Sequence, residues 1–278
     1  MKKIRKNIKE LALITGATSG IGRAIADELA ARGWSIIAAS RNMTAMKTLK
    51  KELEAQYGIT VHTYRADFSR PGADVKLFEA IQKDRHKITA LVNNAGIGLP
   101  ATIMTEQNQA EAEALFSINC TAVFRLSMLF GRDMQKRKYG RILNVSSTAA
   151  FQPMPVSALY GATKAFVLSY SEAMAMELKK HGVTVTALCP GLTETAFFRF
   201  GKPRAPGWLY PMMRPEFVAS RAVKGMLAGK MTVIPGLRPH AFTLLPRILP
   251  RPLTARLMVL IEYFRKQKST KSKSRKQR

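Results

Sequence analysis

The chain has 278 residues, of which 46% are hydrophobic, and this length and apolar content allow one large domain with a substantial core. The formal net charge of +27 is concentrated towards the C-terminus, where residues 200–278 carry 18 basic and 2 acidic side chains. That uneven distribution argues against a uniformly basic nucleic-acid-binding protein. The two cysteines, Cys120 and Cys189, lie far apart in sequence, which argues against a disulfide framework and favours a reducing compartment.

The sequence lacks the usual signals for export, membrane insertion and metal binding. A basic segment, residues 1–10, is followed by the short apolar run Leu11–Ile14, whereas a signal peptide needs a longer apolar core. There is no run of about twenty apolar residues, so no membrane-spanning helix is expected. The histidines do not cluster at ligand spacing, and no metal site is predicted. We therefore expect a cytoplasmic protein.

Short apolar runs alternate with amphipathic stretches along the first 236 residues. The runs predicted to be strands are 11–15, 35–39, 61–66, 90–93, 141–146, 184–189 and 232–234, and most are too apolar for a sheet with one face in water. The stretches predicted to be helices are 20–32, 43–57, 72–85, 105–137, 158–181 and 215–229. This alternation predicts an α/β fold: a Rossmann-type, doubly wound parallel sheet with helices on both faces, in a single domain.

The C-terminal part of the chain departs from this alternation. Residues 192–214 place aromatic and methionine side chains among Pro and Gly, and we expect them to form a lid within a main domain spanning 1–236. Residues 237–264 are predicted to form an amphipathic extension. Its apolar helix face would comprise Leu253, Leu257, Leu260, Ile261 and Phe264. Residues 265–278 carry eight basic and no acidic side chains, and we expect a disordered tail.

A glycine-rich segment joins the first predicted strand to the first predicted helix. Its candidate binding residues are Gly16, Thr18, Ser19, Gly20, Ile21 and Gly22. Glycines let the backbone approach a pyrophosphate, and a helix N-terminus supplies free N–H groups and a positive dipole end. A plain glycine-rich turn is the alternative, but the placement between strand and helix favours a nucleotide-binding loop.

The end of the second predicted strand indicates which nucleotide binds. A carboxylate there would hydrogen-bond the ribose 2′-OH of NAD(H), whereas this chain has Ser40 and Arg41. A guanidinium binds a 2′-phosphate through charge-assisted hydrogen bonds of about 1.5–3 kcal/mol each, which favours NADP(H) by about ten- to a hundredfold. The alternative is that Arg41 is a solvated surface charge.

Tyr160 and Lys164 are four residues apart and would share one face of a predicted helix. A nearby ammonium favours the phenolate, so Lys164 is expected to lower the pKa of Tyr160 into a range useful for proton transfer. Ser147 ends a predicted strand thirteen residues upstream of Tyr160, and α/β sheets gather ligand groups at such strand ends. The three residues together predict a catalytic group.

These motifs together resemble the short-chain dehydrogenase/reductase family. The matching residues occur in the family's order and spacing over about residues 8–236: Thr15–Gly22, Asp67, Asn93–Gly96, Asn119, Ser146 with Ser147, Tyr160 with Lys164, and Pro190–Gly191 with Thr195. The resemblance implies an NADP(H)-dependent oxidoreductase that transfers hydride between the nicotinamide and a carbonyl or alcohol group.

The resemblance also implies a role for each catalytic residue. Tyr160 would donate its proton to the substrate carbonyl oxygen, and Ser147 would hydrogen-bond and position that oxygen. Lys164 would hold the nicotinamide ribose and stabilise the ionised Tyr160. Asn119 would anchor a water in a proton relay, although it could instead only bridge helix turns.

Besides Tyr160 and Lys164, further residues are implied in cofactor binding: Asp67, Asn94, Ala95, Gly96, Gly191, Thr193 and Thr195. Asp67 would accept a hydrogen bond from the adenine amine, and Asn94 would line the adenosine ribose side. The segment Gly191–Thr195 would close over the nicotinamide carboxamide. Asn93 is expected to brace the sheet.

The lid composition favours a hydrophobic carbonyl or alcohol substrate, such as a fatty-acyl, sterol-like or other lipidic compound. Alternatively, the lid side chains pack onto the domain or a neighbouring subunit. The extension 237–264 and its basic tail would either contact an anionic membrane peripherally, or dock on the core or a partner subunit while the tail only solubilises. Relatives associate through the helices that correspond to 105–137 and 158–181, so a homodimer or homotetramer is expected.

Two other functions stay open from the residues. One is an NAD(H)-dependent alcohol dehydrogenase of the same family, against which Arg41 argues. The other is a nucleotide-binding protein that uses its basic tail on nucleic acid or membrane. The tail 265–278 lacks aromatic residues for base stacking, and no specific nucleic acid is expected.

Overall fold

A computed structural model describes residues 9–99, 103–195 and 212–260. The strands in these ranges are β1 (Leu11–Thr15), β2 (Ser35–Ser40), β3 (Val61–Arg65), β4 (Ala90–Asn93), β5 (Gly140–Val145), β6 (Val183–Leu188) and β7 (Thr232–Val233). They form one parallel sheet in the order β3-β2-β1-β4-β5-β6-β7. The predicted fold class, a doubly wound parallel sheet, is confirmed.

Helices cover both faces of the sheet. They are α1 (Gly20–Ala30), α2 (Met43–Tyr57), α3 (Ala73–Lys83), α4 (Gln109–Phe116), α5 (Ala122–Lys136), α6 (Ala158–Lys179), α7 (Pro215–Leu227) and α8 (Leu237–Ile248). On one face α1 packs against α7, and on the other α3 packs against α5. Ile14 and Ile36 point into the first layer and Leu13 and Ile37 into the second, all fully buried. Because successive strand side chains alternate between faces, a sheet covered twice needs strands that are apolar throughout.

The predicted strands agree with the observed ones to within one residue at each end. The predicted helix 105–137 begins later than expected, at Gln109, and runs to Lys136 with a local change of helix type inside it. A π-helical turn, Ser117–Thr121, separates α4 from α5. This turn contains Asn119, whose side chain hydrogen-bonds the backbone of Ile97. This turn therefore positions a side chain that is predicted to be functional, and π-helical turns are frequent at functional sites.

The sequence pattern does not predict α8, because Pro239 and Pro246 are residues that normally interrupt helices. Pro239 lies in the first turn of α8, where a missing N–H leaves no intrahelical bond unmade. Residues 251–260 are also helical, in agreement with the start of the predicted apolar face. Its end, 261–264, and the tail 265–278 lie outside the described residues.

One stretch, Gln109–Lys136, is long and apolar enough to cross a membrane by length and composition. In this fold it is a core element. Leu115, Leu126, Phe130 and Met134 are buried, and α5 packs on β4 and β5.

The parallel strands bring their carboxyl ends to one edge of the sheet. From β1 the chain continues to β2 on one side, while β4 pairs with β1 on the other. In sheets of this kind, a crevice opens where the strand order reverses, and ligands bind there. The segments that follow β1, β2, β4, β5 and β6 carry the candidate site.

Candidate active site

The loop between β1 and α1 has a conformation that requires glycine. Gly16 and Gly20 have φ values of 66° and 56°, in the left-handed region. A Cβ built on Gly22 would lie 2.3 Å from Asn94 Nδ2 and 2.4 Å from the Gly16 carbonyl oxygen. The Ser19 side chain makes no cap hydrogen bond to α1. The first backbone N–H groups of α1 therefore have no side-chain cap as an acceptor. A helix N-terminus of this kind, next to a tight glycine turn, binds anions.

Asn94 holds this loop from behind. Its amide donates to the carbonyl oxygens of Thr15 at 3.0 Å and Gly16 at 3.1 Å. The Thr15 hydroxyl oxygen accepts from the N–H groups of Asn94 and Ala95, both at 3.0 Å. These bonds join the ends of β1 and β4. The side-chain amide of Asn94 thus donates to the loop itself. A contact of Asn94 with the adenosine ribose stays a prediction.

The ends of β2 and β3 place charged groups beside the loop. Ser40 Oγ lies 3.3 Å from Thr18 Oγ1, and the next side chain, Arg41, is exposed. Asp67 accepts hydrogen bonds from the N–H and hydroxyl of Ser69 at 3.2 and 2.7 Å. Partial burial works to raise the pKa of Asp67, but the Ser69 bonds and the positive charge of Arg41 outweigh it and lower that pKa. Arg41 thus lies near Asp67, at the edge where the cofactor is expected.

The structure brings together the predicted catalytic residues after β5 and at the start of α6. The Ser147 side chain is hydrogen-bonded to Tyr160, and its Oγ also accepts from the N–H of Ala149 at 3.1 Å. Lys164 Nζ lies 5.7 Å from the centre of the Tyr160 ring. Lys164 is only 5% exposed, and its Nζ donates to the Val145 carbonyl oxygen at 3.0 Å. The spacing of four residues does place phenol and ammonium together.

Burial shifts the two side-chain pKa values in opposite directions. It raises the pKa of Tyr160 to about 12, although the hydrogen bond with Ser147 works against this shift. It lowers the pKa of Lys164 to about 8. The expectation that Lys164 lowers the pKa of Tyr160 is therefore wrong for this structure, because poorly solvated surroundings disfavour phenolate and ammonium alike. Tyr160 is consequently protonated at neutral pH.

Asn119 borders the same space as Lys164. Its amide donates to the Ile97 carbonyl oxygen at 3.0 Å and to Thr163 Oγ1 at 3.3 Å, and its Oδ1 accepts from the Ile97 N–H at 3.0 Å. A Cβ built on Gly96 would lie 3.3 Å from Asn119 Oδ1 and 3.5 Å from Lys164 Nζ. Asn119 does bridge neighbouring segments, and its place in a proton relay stays a prediction.

The segment after β6 reaches across to the glycine-rich loop. A Cβ built on Gly20 would lie 2.8 Å from the Thr195 methyl carbon. A Cβ built on Gly191 would lie 3.2 Å from Pro239 of α8. Thr193 between them is buried. The segment Gly191–Thr195 is thus held between the loop and α8, and its closure over the cofactor stays a prediction.

The predicted lid, 192–214, is described at both ends. The Met213 N–H donates to the Leu192 carbonyl oxygen, and the Glu194 N–H donates to the Met213 carbonyl oxygen, both at 2.9 Å. The two ends are therefore joined side by side. The aromatic residues on which the lid prediction rests, Phe197, Phe198, Phe200, Trp208 and Tyr210, lie outside the described residues.

Ser146 is a positioning residue whose role the sequence pattern does not signal. Its buried hydroxyl donates to the Lys164 carbonyl oxygen at 2.7 Å and thereby ties α6 to the end of β5. The Cys189 thiol is hydrogen-bonded to the Ser146 side chain. A serine beside Ser147 is visible in the sequence, but a bond to a backbone oxygen on a distant helix has no local signature. Within the described ranges, no group of three or more His, Cys, Asp or Glu side chains could hold a metal ion.

Known proteins resemble the chain over the residues that form this site. The sequence profile of the short chain dehydrogenase family matches residues 10–203. The 17-beta-hydroxysteroid dehydrogenase type 3 of Mus musculus is 33% identical over 199 residues, which are 70% of this chain and 64% of that one. The very-long-chain 3-oxoacyl-CoA reductase of Pyrenophora tritici-repentis is 35% identical over 202 residues, or 70% and 58% of the two chains. The chain thus spans less than two thirds of the length of either relative.

A solved structure matches a larger share of the chain. A short-chain dehydrogenase from Sphingobium yanoikuyae, in complex with NADPH, is 30% identical with a TM-score of 0.75 and covers 82% of this chain and 88% of its own. Its agreement in fold extends over the sheet on which the site is built. Since profile, sequence and structure agree, the chain belongs to the short-chain dehydrogenase/reductase family of oxidoreductases.

Proposed function

We propose that this protein is an NADP(H)-dependent oxidoreductase that interconverts a carbonyl and an alcohol on a hydrophobic small molecule. The observation that carries the proposal is the meeting of Ser147, Tyr160 and Lys164 at one strand end, with Asn119 beside Lys164. A hydroxyl pair next to a buried ammonium suits proton donation to a carbonyl oxygen.

The loop between β1 and α1 fits a dinucleotide phosphate. There is no room for a side chain at Gly22, and the N-terminus of α1 lacks a side-chain cap, so backbone N–H groups are left for an anion. Arg41 is exposed and directly follows Ser40, whose Oγ lies 3.3 Å from Thr18 of this loop, and an arginine at this position favours a 2′-phosphate. Residues 16–22, Arg41 and Lys164 would hold NADP(H), which supplies hydride when bound. The NADPH in the structural relative supports the same cofactor.

Tyr160 acts as the proton donor in the proposed reaction. With a pKa of about 12 it carries its proton at neutral pH, which is the form that carbonyl reduction consumes. Ser147, oriented by the Ala149 N–H, donates its hydroxyl hydrogen to the same substrate oxygen. Lys164, whose Nζ lies 5.7 Å from the centre of the Tyr160 ring, would bind the nicotinamide ribose, as the family resemblance implies.

Apolar side chains near the catalytic pair support a hydrophobic substrate. The segment between Ser147 and Tyr160 contains Phe151 and Met154, and Met154 lies against Gly161 of α6. Both relatives are named for compounds with a large hydrocarbon part, a hydroxysteroid and a very-long-chain 3-oxoacyl-CoA. The lid composition, rich in aromatic residues and methionine, points the same way.

A binding and turnover experiment tests the proposal. The purified protein is titrated with NADPH and NADH, and NADPH-dependent reduction is followed with steroid ketones and 3-oxoacyl thioesters of increasing chain length. We expect NADPH to bind about ten- to a hundredfold more tightly than NADH, and Arg41→Asp to abolish that preference. Arg85→Asp is the matched control, since Arg85 is exposed beyond the C-terminal end of α3, next to the start of β4.

Tyr160→Phe is expected to lower turnover by about a hundred- to ten-thousandfold while keeping most of the NADPH affinity, because it removes the transferable proton and the hydrogen bond to Ser147 but keeps the ring. Equal binding of NADH would refute the cofactor assignment. Turnover that survives in Tyr160→Phe would refute the mechanism, and rates independent of chain length would refute the lipid-like substrate.

A further inference from the structure

The C-terminal helix α8 presents a row of apolar side chains to solvent. Leu237 is 90% exposed, Ile248 80% and Leu244 43%, and Ala241 is exposed between them. Their spacing of four, three and four residues places all of them on one helix face. Scattered exposed apolar residues are normal on a protein surface, whereas an aligned row on one helix indicates an interaction face.

The helical residues 251–260, which follow α8, also expose apolar side chains. Leu253, Val259 and Leu260 are each about half exposed, at 49%, 53% and 50%. Thr254 and Met258, one turn apart, are buried on the opposite side. The helix is therefore seated on the protein through one side and leaves the other uncovered. The sequence left two alternatives for the extension, and one of them is docking on the core. Docking on the core accounts for the buried side of this helix but not for its exposed side.

The exposed face is also strongly basic. Residues 237–260 contain four arginines and no acidic residue. Arg247 is adjacent to Ile248 on α8, and Arg251 and Arg256 are exposed on the following helix. In sequence, residues 261–278 add eight basic side chains and one acidic. Exposed arginines thus flank the apolar row in sequence, within a segment that has no acidic residue.

The other side of α8 contacts segments near the predicted catalytic residues. Pro239 of α8 approaches Gly191, and α8 packs against the short helix Thr148–Phe151 that follows Ser147. Helix α8 would therefore lie between these segments and a partner bound to its exposed face.

We propose that this face, formed by α8 and residues 251–260, docks on the surface of an anionic lipid bilayer. Helices that lie in a membrane interface combine an apolar row with lysine or arginine, as this face does. A second copy of the chain is a poorer occupant, because it would bring two strongly basic faces together. Nucleic acid would match the charge but leave the leucine and isoleucine row in water. The proposal goes beyond the proposed reaction and does not depend on it.

Vesicle flotation with the full-length chain tests the proposal without cofactor or substrate. Binding is compared between phosphatidylcholine vesicles and vesicles that also contain phosphatidylglycerol. The test variant is Leu244→Asp with Ile248→Asp. The control, Thr44→Asp with Val75→Asp, makes the same charge change at exposed positions on α2 and α3. Light scattering and thermal unfolding are measured on all three proteins.

We expect the parent and the control to bind the anionic vesicles, and the test variant to bind about tenfold more weakly or worse. The proposal is overturned if the parent does not bind, or if test variant and control bind alike, since the basic tail would then suffice. A test variant that binds as before but loses oligomers would assign the face to a second copy. A test variant that binds the vesicles as before but unfolds at a lower temperature would show that the chain itself covers this face.

Discussion

At the scale of one residue, the burial of Lys164, which is predicted to be catalytic, has a cost in stability. Its ammonium is buried against the Val145 carbonyl oxygen, and burial lowers its pKa from 10.5 to about 8. Between these two values the unfolded chain binds more protons than the folded chain, so this group makes stability rise with pH across that window. At pH 7 the folded protein bears the full cost of the buried charge.

Lys164→Met is therefore expected to stabilise the cofactor-free protein at pH 7 by up to about 3 kcal/mol, a gain that shrinks as pH rises from about 8 towards 10.5. Loss of the bond to Val145 offsets part of this gain. Urea unfolding at pH 7 and at pH 10 measures it, with the exposed Lys47→Met as control. A variant less stable than the parent at pH 7 would show that Lys164 is a net stabilising group.

The sequence predicts which side chains lie together better than it predicts their pKa values. The spacing of Tyr160 and Lys164 correctly predicts that they are neighbours, because helix geometry fixes it. Their pKa values depend on how much of the surrounding fold excludes water, which no local pattern encodes. The same holds for Ser146, whose partner is a backbone oxygen on α6.

At the scale of elements, the loop between β1 and α1 depends on close contact with the end of β4. A Cβ on Gly22 would meet Asn94 and the Gly16 carbonyl, which are themselves hydrogen-bonded to each other. Neither can move without breaking the link between β1 and β4. The sequence predicts that glycine is needed here for a phosphate, whereas the contact with Asn94 emerges only when the strands are assembled.

Gly22→Ala is expected to lower the free energy of unfolding by about 1–3 kcal/mol and to abolish NADPH binding, because the added methyl group displaces the loop. Gly131→Ala in α5 is the control: its Cβ would make ordinary contacts, the closest at 3.7 Å, and alanine favours a helix by about 0.5–1 kcal/mol. Urea unfolding and fluorescence titration measure both effects. NADPH binding retained in Gly22→Ala would refute the close-contact argument.

The predictable elements are those whose pattern is local and repeated. The strands follow from short apolar runs, and most helix bounds follow from amphipathic spacing. The π-helical turn at Asn119 and the proline-containing α8 are missed because both arise from tertiary contacts. Asn119 is held by Ile97, and α8 by its contact with Gly191.

At the scale of the whole molecule, a net charge of +27 opposes self-association, so an oligomer must be held by apolar surface. Helices α5 and α6 offer such surface, with Met128 36% and Met176 67% exposed, and these helices fall in the segments predicted to form the subunit interface. We therefore expect a dimer or tetramer by light scattering, converted to monomers by Met128→Asp with Met176→Asp. The Thr44→Asp, Val75→Asp protein should keep the parental assembly.

A rise in ionic strength should affect this subunit interface and the lipid-binding face in opposite directions. Raising salt from about 0.1 M to 1 M shortens the screening length from about 10 Å to about 3 Å. Repulsion between basic subunits then weakens, so the oligomer should tighten. Attraction of the C-terminal arginines to anionic lipid weakens as well, so vesicle binding should fall. Light scattering and flotation across the same salt series measure both, and a common trend would mean that one surface serves both contacts.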